Sequence, residues 1–91
     1  MSSKYPLTGY GLMAKRHWEE FCPRMVKKLE AQGRLEEALY EAQEMTTAEM
    51  MELRSKLQKE LGLTPQQAHD QAWEVIREKY IYLRSEETAD V

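Results

Sequence analysis

The stretch YGLMAKRHWEEFCPRMVKKLEAQGRL, residues 10–35, decides the fold class. Tyr10, Ala14, Trp18 and Phe21 recur at four- and three-residue steps, the spacing of one face of an α-helix. The same stripe runs on through Met25 and Leu29, past Pro23. Proline has no N–H to give, and its ring opposes the carbonyl of Glu19. The helix must therefore kink, or break at Phe21–Cys22 with Pro23 as the first residue of a second helix. Gly33 is well placed to close that second helix in the left-handed conformation, with Lys27 and Lys28 near its negative end.

Working outward, residues 1–11 contain Pro6, Gly9 and Gly11 and read as an N-terminal arm, with Tyr5, Leu7 and Tyr10 available for docking. Helix is expected from Leu12. Beyond Gly33, Leu35, Ala38, Leu39 and Ala42 share a face, with Glu36 and Glu37 at the positive end of the dipole. Thr46 and Glu49 have the spacing of a capping box, which would start a new helix. Ala42, Thr46, Met50, Leu53, Leu57 and Leu61 nevertheless keep one phase, which favours a single helix from about 34 to 61, straight or bent. Both readings stand at this point. Gly62 ends that segment, and Thr64-Pro65-Gln66-Gln67 opens the next with a cap, a proline at the first helical position and a box-closing glutamine. His69, Trp73, Ile76, Tyr80 and Leu83 then trace a helix face over about 65–84. The remaining acidic residues, 85–91, read as a frayed tail.

No two-residue alternation supports a sheet, so the expected fold is all-α: a small helical bundle of three to five helices over 12–84. Ninety-one residues suffice for one domain. Its core should be thin, and dimerisation commonly compensates for that. Net charge is −3 but uneven. Residues 1–34 hold seven basic and three acidic side chains, and the rest of the chain carries a net −7. Opposed helix faces explain this split, and a basic patch for phosphate is the sharper reading. The single cysteine precludes an internal disulfide and fits a reducing, cytoplasmic compartment. No signal peptide or membrane span is expected.

Chemistry is sparse. His17, Cys22 and His69 are the only nitrogen or sulfur ligands, and His17-x4-Cys22 is not a zinc spacing. Cys22, between Phe21 and Pro23, has the setting of a small buried hydrophobe rather than of a nucleophile with a base beside it. Gly9 and Gly11 complete no phosphate-loop fingerprint. Neither an enzyme nor a cofactor, metal or small-molecule substrate is expected. Residues 57–76, LQKELGLTPQQAHDQAWEVI, have the layout of a helix-turn-helix in which Gln66 and Gln67 would open a recognition helix. Against that, Gln58 stands where a tight crossing needs a small residue, and Asp70 and Glu74 would meet phosphates. An ordinary helical hairpin is the simpler reading.

The opening stretch resembles the TnpV family of small proteins encoded on bacterial transposons and related mobile elements. The resemblance is carried by Tyr10-Gly11, Met13, Lys15-Arg16, Glu20, Pro23, Leu29 and Gly33-Arg34-Leu35 in one ungapped register. It continues more weakly through Ala42 and Gly62-Leu63-Thr64 to Trp73, covering residues 10–80. Trp18-Glu19 and Phe21-Cys22 stand where the family pattern is more basic. The resemblance implies a helical, intracellular accessory protein and no reaction.

Two functions follow as expectations. The first is a non-enzymatic interaction protein that binds a protein partner or itself, as a homo-oligomer. Its core and any seam would be built from Trp18, Phe21, Met25, Leu29, Leu53, Leu57, Trp73, Ile76 and Tyr80. The second is a DNA-binding accessory protein using Lys15, Arg16, Arg24, Lys27 and Lys28, or Gln66 and Gln67.

Overall fold

A computed structural model describes residues 5–86. Among them are four helices, α1 (Gly9–Phe21), α2 (Pro23–Ala31), α3 (Leu35–Leu61) and α4 (Pro65–Tyr80), and no strand. The all-α expectation holds. Residues 1–4 of the arm and 87–91 of the tail lie outside the described residues.

The local stop and start signals act as the sequence predicts. Pro23 opens α2, and Cys22 between the two helices leaves helical geometry. Gly33, at φ 68°, closes α2 through amide bonds from Gly33 to the Glu30 carbonyl and from Arg34 to the Leu29 carbonyl. Gly62, at φ 66°, ends α3. Thr64 and Gln67 form a reciprocal capping box at the head of α4. The choice at Thr46–Thr47 falls to one continuous α3 of 27 residues. Both threonine hydroxyls donate backwards, to the carbonyls of Ala42 (2.7 Å) and Gln43 (3.0 Å), so neither is free to cap a new helix.

Two boundaries need correction. Helix α1 begins at Gly9, within the expected arm, because a partner distant in sequence satisfies its first amides. Gln43 of α3 accepts the N–H of Thr8 and, at 3.2 Å, that of Gly11. Its own amide donates to the Pro6 carbonyl at 3.2 Å. Helix α4 stops at Tyr80 rather than near residue 84. Ile81, Tyr82 and Leu83 form an unbroken apolar run that one helix face cannot bury. The chain turns there, with the Arg77 carbonyl accepting from both Ile81 and Tyr82. Ile81 thereby becomes fully buried among residues of α1, α2 and α3.

The expected frayed tail is docked at Glu86. Glu86 accepts the backbone N–H of Arg24 and of Met25, both at 3.0 Å, and so caps α2, which has no side-chain cap of its own. Both helices of the opening stretch are thus closed from elsewhere in the chain.

The core has two parts. Ala14, Trp18, Cys22, Val26, Leu39, Ala42 and Ile81 form the larger. Met50, Ala72 and Ile76 form the smaller, between α3 and α4. The molecule is flat, 46 × 41 × 15 Å, with a radius of gyration of 15.0 Å. A compact domain of this length would have about 12 Å. So flat a shape leaves many apolar side chains half covered.

Of the nine residues expected for the core or a seam, Trp18 and Ile76 are buried, while Met25, Leu29, Leu53, Leu57, Trp73 and Tyr80 are half-buried. Phe21, expected for the core or a seam, lies outside the core at 39% exposed. Cys22 and Val26 continue the Ala14–Trp18 line in four-residue steps and take the inward positions, which turns Phe21 out.

Candidate functional site

An open groove of about 380 Å³ runs along the outer side of α1, between that helix and the turn after α4. Leu12, Met13, Arg16, His17, Glu20 and Phe21 come from α1, and Tyr82 closes the opposite wall. The break at Cys22 supplies Phe21, and the early end of α4 supplies Tyr82.

His17 joins the two walls. Its ring lies 4.6 Å from that of Phe21 and 5.1 Å from that of Tyr82, centroid to centroid. Its Nε2–H donates to the Leu83 carbonyl at 2.8 Å, which fixes that nitrogen as a proton carrier because a carbonyl only accepts. Tyr82 in turn meets the edge of Trp73 at 5.9 Å, and Trp73 stacks on Tyr10 at 5.5 Å. The groove wall is therefore braced by a row of rings from Phe21 to Tyr10. Leu12, 56% exposed, stands at one end of α1's outer face and Phe21 at the other.

Of the expected nucleic-acid residues, Lys15 and Arg16 face different grooves. All five basic side chains are exposed. Lys15 opens on a different groove, shared with Glu19, Glu30 and Glu36. Arg16 lines the aromatic groove beside Glu20. The amide of Arg24 binds the Glu86 carboxylate, which puts negative charge at the head of α2. Lys27 and Lys28 remain as an exposed pair near its far end. Gln66 donates to Asp70 at 2.9 Å, and Gln67 is held in the Thr64 capping box. Both expected base readers are occupied locally.

The 57–76 segment is a side-by-side hairpin. Lys79 and Tyr80 of α4 both donate to the Glu49 carboxylate of α3. These residues lie roughly 20 Å along their helices from the Gly62 corner, at 1.5 Å per residue. Helices crossing at the 90–120° of a helix-turn-helix would be far apart at that distance. The crossed arrangement is replaced by the simpler hairpin.

Cys22 is buried, and its thiol donates to the Arg84 carbonyl at 3.5 Å. Burial, and secondarily the Glu86 charge, push the thiol pKa up, away from the reactive thiolate. Among the described residues no cluster of three or more histidine, cysteine or carboxylate groups is placed to hold a metal. No helix there is long and apolar enough to cross a membrane.

Sequence reasoning named Phe21 and Arg16 but not Leu12, Met13, Glu20 or Tyr82 as site residues. The available signal was the run Tyr80-Ile81-Tyr82-Leu83, which is apolar on every side. Comparison with protein-family models, curated proteins and solved structures yields no match.

Proposed function

We propose that this chain is a non-enzymatic interaction protein that binds a protein through the apolar groove on α1. In line with the TnpV resemblance, it serves as a cytoplasmic accessory factor of a mobile element. The observation that carries this reading is the groove itself. Leu12 and Phe21 remain exposed on a helix whose inner face is well buried, beside an ordered wall of rings. Exposed apolar residues gathered on one groove mark an interaction surface more often than single scattered ones do. Arg16 and Glu20 give the groove a polar rim of both signs.

The DNA-binding alternative has weaker support, because carboxylates accompany Lys15, Arg16 and Arg24 and both glutamines are engaged. The two are separated by titrating the full chain with mixed duplex DNA at low and moderate salt in a sedimentation experiment. The interaction reading predicts no salt-dependent complex. Binding that weakens steeply with salt and is lost in Lys27→Glu/Lys28→Glu would overturn it.

A further inference from the structure

The α1 groove carries a pattern that selects one kind of partner. Arg16 and Glu20 lie one helical turn apart on the same wall, and among the described residues neither is ion-paired within the chain. Leu12 and Phe21 flank them toward the two ends of the helix. We infer that the groove docks a second copy of this chain, α1 against antiparallel α1 about a two-fold axis. The inference rests on the interaction reading and commits it to self-association.

Two-fold pairing requires a self-complementary surface, in which residue i meets j and j meets i. An axis beside Trp18, in the last third of α1, does this. It sets Arg16 of each copy beside Glu20 of the other, twice over. It also carries Leu12 of each copy toward the Phe21 end of its neighbour. A strongly basic or strongly acidic partner would leave Glu20 or Arg16 facing like charge. Exposed Met51 on α3, by contrast, sits among Arg54, Gln58 and Lys59, with no acidic side chain in its groove.

In that register the two copies of α1 overlap over residues 15–21, roughly 10 Å at 1.5 Å per residue. That is short for an interface, so association is expected to be concentration-dependent rather than permanent.

The test is sedimentation of the full chain over a concentration series. Wild type forms a dimer as concentration rises. Leu12→Glu weakens it, and Arg16→Glu or Glu20→Arg alone weakens it by about tenfold or more, because each places like charges opposite one another. These positions are exposed, so circular dichroism stays that of wild type. Mixing Arg16→Glu with Glu20→Arg in equal amounts makes each copy's charges opposite to its neighbour's at both contacts, and association returns to near the wild-type level. A wild-type chain that stays monomeric, a dimer indifferent to these changes, or a mixture that fails to associate overturns the inference. Monomeric behaviour leaves the broader interaction reading standing, whereas steeply salt-dependent DNA binding removes that reading itself.

Discussion

Gln43, in the middle of α3, accepts the backbone N–H of Gly11 at 3.2 Å and so fixes where α1 begins. The approach is close enough that a side chain at position 11 would displace Gln43 from the amides it holds. A Cβ there would overlap Gln43 Oε1 and lie 2.8 Å from Leu7 Cδ2. In an exposed helix, Gly→Ala stabilises by about 1 kcal/mol.

Here Gly11→Ala is expected to destabilise, by about 1–3 kcal/mol. Gln43→Leu should cost a similar ~1–3 kcal/mol, because it strands the amides of Thr8 and Gly11. Urea unfolding of both variants checks this. A stabilised Gly11→Ala would show that Gln43 does not sit where described.

Glu86 caps α2 from 61 residues beyond Met25. Glu86→Ala should lower stability by about 0.5–2 kcal/mol, the range for losing a helix N-cap. Faster hydrogen exchange at Arg24 and Met25, with α4 unchanged, would identify the cap as the cause. Unchanged protection at those two amides would contradict it.

The Glu49 link between α3 and α4 gives a pH dependence of defined sign. Hydrogen bonds from Lys79 and Tyr80 hold the Glu49 pKa below the ordinary carboxylate value, against a smaller opposing effect of desolvation. A depressed folded value means that the contribution is present above the unfolded pKa and fades as pH falls through the folded one. The same contacts raise Lys79 and Tyr80, so their share is present below pH 10 and fades in alkali. Stability should hold a plateau between these limits. In Glu49→Gln the acid-side slope should be shallower, read from denaturation midpoints across pH; an unchanged slope would contradict the link.

Cys22 should resist alkylation while the chain is folded and react readily in denaturant. Burial and the raised thiol pKa act in the same direction. Rapid labelling of the native protein would show that the Ile81–Glu86 strap opens freely.

The local punctuation of the fold was legible in the sequence. Pro23, Gly33, Gly62 and the Thr64–Gln67 box act through neighbours within a few residues, so their types and spacing suffice. What escaped were contacts across long sequence distances. Nothing beside Gly9 announces that Gln43 will cap α1, and nothing beside Pro23 announces Glu86. Phe21 looked inward because the helical period was carried through the break; once Cys22 leaves helical geometry, Val26 takes the inward line and Phe21 turns out. Half the groove was hidden for a related reason. Tyr82 becomes its wall only because burial of Ile81 ends α4 at Tyr80.

The account's central claim is that the outer face of α1 is where this protein meets another. Amide NMR spectra of the chain over a concentration series test it most directly. The account predicts shifts confined to Leu12, Met13, Arg16, His17, Glu20, Phe21 and Tyr82. Shifts centred instead on Met51, Leu61 and Val75 of the α3–α4 hairpin would contradict it.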